Sequence, residues 1–142
     1  MSANQPTTPQ HRQLLAHLCG DYLLQSDWQA QEKTQRWLPA VAHGITYTLP
    51  FVALTRSPAR LAAIAASHTV IDRYRLARHV CWAKNQAAPA RHRYPWSEGS
   101  RTGYRDDRPD WLSVWLMIIA DNSIHLLANA LALTERKTDE PS

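Results

Sequence analysis

The sequence predicts an all-α protein, a single-domain bundle of four long helices with a long basic loop between the third and the fourth. Its longest segments are rich in alanine and leucine, which favour helices. Glycine occurs only four times beside six tryptophans, which argues against the many turns of an all-β protein. Proline follows a capping-type residue at Thr8-Pro9 and at Ser57-Pro58, as is typical of helix starts. The length of 142 residues suits one domain.

The first two long helices are predicted from their starts and their apolar residues. The first begins with Thr8 as N-cap and Pro9 as the first helical residue, and it ends near Gln25. The second covers residues 38–54 and is apolar nearly all round, and Pro50 should kink it or end it. A short polar helix with the sequence DWQAQEKTQ is expected between them, exposed to solvent.

The third helix is predicted from Pro58 to about residue 83, and the fourth covers residues 110–133. Residues 84–108 between them form the basic loop, which shows no hydrophobic period. A segment of this length is a functional lid or arm, or else it is disordered. The single domain covers residues 1–142, and segments 1–8 and 135–142 are predicted to be flexible tails.

The positive charge of the chain is concentrated in one segment. Residues 73–108 contain nine arginines and lysines and only three acidic residues, whereas the whole chain has a net charge of +4. The rest of the chain is therefore slightly acidic. A local positive field of this kind indicates an anionic partner or substrate.

Two segments are apolar enough to raise the question of a membrane. Residues 38–54 are fewer than the roughly 20 that a span needs, and residues 110–133 contain Asp121 and His125 near their middle, which would be expensive in lipid. With a mean hydropathy of −0.44, we expect a soluble bundle, with peripheral membrane contact as a weaker alternative. The polar N-terminal residues and the widely separated Cys19 and Cys81 favour a reduced, cytoplasmic protein.

Three of the four long helices each carry a histidine and an aspartate four residues apart, and the remaining one carries a lone histidine. Residues at this spacing share one face of a helix, and two histidines are spaced in the same way in zinc-binding HExxH helices. Helical bundles build metal sites from side chains that face inward from several helices. The candidate ligands are His17 with Asp21, His43, His68 with Asp72, and Asp121 with His125.

Random placement of the histidines and aspartates would produce about one such pair, and each pair considered alone is better explained as a salt bridge within its helix. Three pairs and His43 together favour a shared polar site. Imidazole and carboxylate donors without thiolate suit Zn²⁺, Mn²⁺ or Fe²⁺. Seven candidate ligands exceed the needs of one zinc ion, so the site holds either two metals or one metal with carboxylates that orient the histidines.

The leading functional hypothesis is a metal-dependent hydrolase of a phosphorylated or nucleotide-like anionic substrate. Asp72 and Arg73 are the candidate catalytic residues, and Arg73, Arg75 and Arg78 are the candidate substrate-binding residues, because arginine forks bind phosphate. The sequence contains neither GxGxxG nor a Walker A loop, and no Ser/His/Asp triad can be assigned.

A second hypothesis is a non-catalytic protein that binds nucleic acid or a protein partner through the basic loop, with the His/Asp cluster purely structural. The aromatic residues between the arginines of the loop suit stacking on bases. Equally, the loop could fold over the bundle with these aromatic side chains tucked in.

Four polar residues near the predicted site have smaller expected roles. Gln25 and Asp27 follow the first helix and either reach the mouth of the site or merely end the helix. Asn122 and Asn129 flank His125 at helical spacing, and Asn129 is expected to orient a ligand.

The motifs that carry the histidines and aspartates resemble those of a family of small phage and bacterial helical proteins of unassigned function. The matching residues are His17-x-x-x-Asp21-Tyr22-x-Leu24-Gln25, then His43, then His68-x-x-x-Asp72-Arg73, and finally Asp121-Asn122-x-x-His125-Leu126-x-x-Asn129-Ala130. The pattern is also distantly similar to that of membrane-bound metal-dependent hydrolases. The resemblance implies a metal site and, for a phage protein, the host cytoplasm. A membrane location does not carry over, because the chain lacks clear multiple spans.

Overall fold

The computed structural model describes residues 8–134, which are helical and contain no strand. The all-α class is therefore confirmed for this part of the chain. It contains six α-helices: α1 (Pro9–Leu18), α2 (Asp27–Glu32), α3 (Trp37–Thr48), α4 (Pro58–Tyr74), α5 (Leu76–Asn85) and α6 (Asp110–Leu133). The predicted flexible tails lie, apart from Thr8, outside the described residues.

The helices α1, α3, α4 and α6 form a ring in which α1 and α6 run antiparallel. Gln13 of α1 donates to the carbonyl of Leu126, and one turn further on His17 meets Asn122. Helix α3 packs on α4, α4 packs on α6, and a turn that extends α1 packs on α3. This closed arrangement directs one face of each helix toward a common interior.

The first helix ends differently from the prediction. The α-helical hydrogen bonds stop at Leu18, and a π-helical turn, Cys19–Leu23, continues to Leu24. Gly20 in this turn is pressed against α3, because a Cβ atom there would lie 2.6 Å from the carbonyl oxygen of Tyr47. The wider turn moves Asp21 away from the regular i,i+4 position relative to His17.

The second long helix follows the prediction made from Pro50. Helix α3 ends at Thr48, and a 3-10 helix, Leu49–Ala53, continues it with Pro50 in its first turn. The proline cannot donate a backbone hydrogen bond, which is why regular α-helix stops there.

The third predicted helix is not continuous. It divides into α4 and α5 at Arg75, which adopts a left-handed conformation with φ 51° and ψ 51°. No glycine or proline marks this position, so the sequence pattern could not reveal the break. The Arg75 side chain donates to the carbonyl of Arg101, which links the bend to the basic loop.

Helices α3 and α4 approach each other closely along a line of small residues. Ala40, Gly44 and Thr48 are buried on α3, and a Cβ atom on Gly44 would overlap Thr69 of α4. Only small side chains allow backbones to come this near. This contact sets His43 beside His68.

The basic loop is folded onto α5 and contains two short 3-10 helices, Ala90–His92 and Trp96–Glu98. Trp82 donates to the carbonyl of Tyr94, and Asn85 donates both to the Tyr94 hydroxyl and to the carbonyl of Gly103. Gly103 has a φ of 82°, which only glycine adopts without strain. Of the two expected arrangements, the aromatic residues therefore adopt the one in which they pack against the helices.

Candidate metal centre

Histidine and aspartate side chains from four helical segments converge in the interior of the ring. Helices α3 and α4 bring His43 and the pair His68 and Asp72, the π turn brings Asp21, and α6 brings His125. The three histidines are at most 1 % exposed. Charged or polar groups are this deeply buried only when they have partners.

Four donor atoms lie at the corners of a small tetrahedron. His43 Nε2 lies 3.1 Å from Asp21 Oδ1, 3.4 Å from Asp72 Oδ2 and 2.9 Å from His68 Nε2. His68 Nε2 lies 3.1 Å from Asp72 Oδ2 and 3.7 Å from Asp21 Oδ1. Ligand bonds of about 2.1 Å in a tetrahedral zinc site place neighbouring donors roughly 3.4 Å apart. Five of the six separations lie between 2.9 and 3.7 Å, on either side of this value, and all lie within 4.8 Å, so the group could hold a metal ion.

A second group adjoins the first and consists of Asp21, Asp121 and His125, whose donor atoms lie within 4.8 Å of one another. His125 Nε2 is 3.5 Å from Asp121 Oδ2 and 3.2 Å from Asp72 Oδ1. Asp72 thus turns one oxygen toward His43 and His68 and the other toward His125. A carboxylate shared in this way is suited to a pair of neighbouring metal ions.

Three polar atoms in this cluster are buried without a hydrogen-bond partner: His43 Nδ1, His68 Nδ1 and Asp72 Oδ2. Buried polar atoms without a partner are rare, and each one requires an explanation. Asp72 Oδ2 is surrounded by nitrogen atoms and nevertheless accepts no hydrogen bond of good geometry. A cation bound among these donors would account for Asp72 Oδ2 but not for the two Nδ1 atoms, because His43 and His68 face the cluster through Nε2.

Lys33, directly after α2, belongs to the site although its sequence position gave no indication of it. Its Nζ lies 2.8 Å from Asp72 Oδ2 and 3.7 Å from Asp21 Oδ1, and it donates to Gln25 Oε1. Gln25 therefore reaches the site through Lys33. Asp27 is instead the first residue of α2 and accepts from Gln31 on the surface, so it neither reaches the site nor ends the first helix.

Tyr47 is a second residue that the sequence reasoning missed. Its ring stacks on His68 with centroids 3.5 Å apart, and its hydroxyl is bonded to His17 Nδ1 and accepts from Asn129 Nδ2. Tyr47 lies four residues after His43, so the same spacing rule that found the His/Asp pairs could have found it.

His17 lies beside the two groups rather than within them. Its Nδ1 faces the Tyr47 hydroxyl at 2.8 Å, and its Nε2 faces Asn122 Oδ1 at 2.6 Å. Both ring nitrogens are thereby engaged with α3 and α6. The predicted pairing with Asp21 is replaced by these contacts because the π turn rotates Asp21 toward His43. Asn129 orients Tyr47, and through it His68.

A pocket of about 140 Å³ opens beside the cluster at the end of the ring nearest the basic loop. This volume is more than enough for several water molecules, since one water needs only about 10–15 Å³ by this measure. Three cationic side chains, Lys33, Arg75 and Arg78, line it together with Asp72 and Asp121. Burial and the neighbouring charge of Arg78 lower the pKa of Arg75. An anion in the pocket would relieve this repulsion.

The third arginine chosen from the sequence, Arg73, does not line the pocket. Its Nη1 donates to the carbonyl of Thr34, and its guanidinium lies over the Trp37 ring at 5.4 Å. Helical geometry explains the difference, since Arg73 follows Asp72 directly and therefore points about a quarter turn away from it. The other two predicted substrate-binding residues, Arg75 and Arg78, do line the pocket.

Comparison with known proteins gives a family but no activity. A family model described as "Protein of unknown function (DUF3307)" matches residues 11–93, more than half of the chain. This segment carries Asp21, His43, His68 and Asp72, the whole of the tetrahedral group. Neither a curated protein nor a solved structure matches the chain.

Proposed function

The chain belongs to the DUF3307 family, whose function is unassigned, and we propose that it is a metal-dependent hydrolase of a phosphorylated or nucleotide-like anionic substrate. The observation that carries this proposal is the tetrahedral spacing of the donor atoms of Asp21, His43, His68 and Asp72. A salt bridge within one helix needs only two of these side chains. Four donors from three segments at ligand spacing favour an ion at their centre.

The donor set decides which metals fit. Two imidazoles and two carboxylates suit Zn²⁺, Mn²⁺ or Fe²⁺, and the adjoining group of Asp121 and His125 provides donors for a second ion. Such an ion supplies Lewis acidity and activates a water molecule near neutral pH. Tyr47, stacked on His68, fixes the orientation of one imidazole.

The substrate class follows from the cations of the pocket. Arg75 and Arg78 present guanidinium groups and Lys33 an ammonium group within a pocket that also contains Asp72. In this proposal the cations bind the phosphoryl oxygens and stabilise the negative charge that develops during hydrolysis. Asp72 contributes one carboxylate oxygen to each group of donors and so positions the two groups relative to each other.

A second candidate function rests on Lys33. Its ammonium group already lies 2.8 Å from Asp72 Oδ2, so an ion-paired cluster without metal would also satisfy part of the buried charge. In that case the protein is a non-catalytic binder of nucleic acid or of a protein partner, and the exposed Arg91 and Arg93 of the basic loop supply the contact.

Metal content and activity together separate the two candidates. Protein purified without chelator should retain about one or two equivalents of Zn, Mn or Fe, and Asp72→Asn should lose most of it. Asp27→Asn, an exposed carboxylate outside the cluster, is the matched control and should keep the wild-type content. A wild-type protein that holds less than about a tenth of an equivalent, even after Zn²⁺ and Mn²⁺ are added, would contradict the proposal.

Hydrolysis is tested with a generic phosphodiester and with nucleotides. Turnover should be abolished by chelator and restored by the metal, and Arg78→Gln should raise KM without lowering metal content. If the protein cleaves none of these substrates, with or without bound metal, and binds an oligonucleotide with a steep salt dependence, the binding function replaces the hydrolase.

A further inference from the structure

The ring of four helices is polar inside and apolar outside. Its most deeply buried side chains include four histidines and Asn129, each at most 1 % exposed. Its outer surface is formed by large apolar side chains, among them Leu15, Leu23, Leu38, Ile45, Leu127 and Leu131, which are between 58 and 78 % exposed. A water-soluble domain shows the opposite distribution and rarely exposes such large apolar patches.

Charged side chains are almost absent from the walls of the ring. The segments 13–25, 37–55, 61–71 and 111–133 contain only two charged residues, Asp21 and Asp121. Both belong to the proposed metal centre. No charged side chain of these segments therefore lies on the outer faces. Arginines stand just beyond the apolar segments, such as Arg12, Arg60 and Arg73.

Helix α6 has the length and composition of a membrane span. It contains 24 residues, about 36 Å of helix at 1.5 Å per residue. The mean hydropathy of its most apolar 18-residue window is 1.5, and only 11 % of that window is buried. The core helix of a soluble protein can match this composition, but such a helix is mostly buried. Helix α6 is not.

The other three helical segments of the ring, which are its other three walls, are long enough to lie in a bilayer beside α6. Residues 37–53 and 58–74 each comprise 17 helical residues, about 25 Å of helix, and α1 with its π turn adds 15 residues. The hydrocarbon core of a bilayer is about 30 Å thick. Tight packing through Ala40, Gly44 and Thr48 is also the kind of contact that joins helices in lipid.

We propose that the four walls of the ring are embedded in a lipid bilayer, with the metal centre at membrane depth and its cationic pocket opening at the end that carries the basic loop. Lipid is favoured over a second copy of the chain because apolar side chains face outward on every wall of the closed ring. The large ones lie mainly on α1, α3 and α6, and the outer face of α4 carries Ala62, Ala63, Ala66 and Val70. A single partner surface covers one side of such a ring, whereas lipid surrounds it. This proposal replaces the expectation of a soluble bundle, which relied on a mean hydropathy averaged over the polar loop and tails.

The basic residues imply an orientation. Eleven of the 16 lysines and arginines lie in the connections 26–36 and 72–110, which are at the pocket end of the ring. Cytoplasmic connections of membrane proteins carry such an excess. The pocket therefore opens toward the cytoplasm.

Fractionation of a bacterial host that expresses the full chain tests the embedding. The protein should remain in the membrane pellet after washes with high salt and with alkaline carbonate, and it should enter solution only with detergent. Purification from the supernatant without detergent would overturn the proposal, whether the protein is then a monomer or a dimer that covers its own apolar faces.

Cysteine labelling gives a second measurement that does not depend on metal or activity. Val41 and Val80 are a matched pair, 43 % and 48 % exposed, but Val41 lies on the wall of the ring and Val80 lies on α5 outside it. In open membrane fragments, Val41→Cys should react at least about tenfold more slowly with a membrane-impermeant maleimide than Val80→Cys, after subtraction of the labelling of the unchanged chain. Equal rates would overturn the embedding.

The same Val80→Cys variant tests the orientation. The impermeant maleimide should label it in inside-out vesicles and not in sealed right-side-out vesicles. The reverse pattern would overturn the cytoplasmic placement of the pocket while leaving the embedding in place.

Discussion

At the scale of single residues, Lys33 affects both metal binding and substrate binding in the candidate site. Its ammonium group competes with any cation for Asp72 Oδ2, which lies 2.8 Å away. It also lines the pocket in which a phosphoryl group would bind. In the proposed mechanism the ammonium group of Lys33 therefore weakens metal binding and strengthens substrate binding. Measuring metal affinity in the absence of substrate tests the first effect by itself.

The Lys33→Gln variant should bind the metal about tenfold more tightly, equivalent to ~1.4 kcal/mol, because a competing charge is removed. Competition with a chromogenic chelator measures this affinity. Lys84→Gln, on α5 beside the Tyr104 ring, is the control and should leave the affinity unchanged. An unchanged or weaker affinity in Lys33→Gln would mean that the ammonium holds the carboxylates in position rather than competing for them.

At the scale of the helices, the irregular places are the ones that build the site. The π turn after α1 carries Asp21 toward His43, and the left-handed Arg75 lies three residues after Asp72, where α4 turns into α5. With regular helices, Asp21 would lie beside His17, and α5 would continue α4 along the same axis. Backbone strain often accumulates at functional sites for this reason.

The strain at Arg75 can be measured by comparing two variants. Arg75→Gly and Arg75→Ala both lose the guanidinium and its bond to Arg101, but only glycine accepts a φ of 51° without cost. Arg75→Gly should therefore have a free energy of unfolding about 1 kcal/mol higher than Arg75→Ala, measured by equilibrium denaturation under identical conditions.

The sign should reverse within α5. At Arg78, which is α-helical, the alanine variant should be the more stable of the two by about 1 kcal/mol. If alanine were also the more stable residue at position 75, the left-handed bend between α4 and α5 would be refuted.

For the molecule as a whole, the candidate metal centre is the place where the helical segments of the ring come together. Asp21, His43 and Asp72 come from three separate segments, and His125 adds a fourth. An ion bound by these residues would therefore stabilise the folded protein in proportion to its affinity.

The thermal midpoint should fall by several degrees when chelator removes the metal and should recover when the metal is added back. At a metal concentration 1,000 times Kd, the expected stabilisation is about 4 kcal/mol. Asp72→Asn should show little response to chelator, whereas Asp27→Asn should respond as the wild type does. A wild-type midpoint that is indifferent to chelator would contradict a metal shared between the helices.

The sequence by itself determined the all-α class, the positions of most helices and most of the residues that form the candidate donor groups. These properties depend on neighbours a few positions apart: proline after a capping residue starts a helix, and i,i+4 spacing puts His68 beside Asp72 and His125 beside Asp121. The split between α4 and α5 and the π turn escaped the prediction, because contacts with distant residues impose them.

Only the tertiary structure decided which of the predicted residues meet. In the folded chain His17 is hydrogen-bonded to Tyr47 and Asn122, and Arg73 donates to the carbonyl of Thr34. Lys33 lies within the cluster, beside Asp72. The tertiary structure also revealed that the apolar residues of α1, α3 and α6 face outward, which composition cannot show. The physical reason is common to all of these results: local geometry fixes the side of a helix on which a residue lies, but only the packing of helices distant in sequence fixes what that side faces.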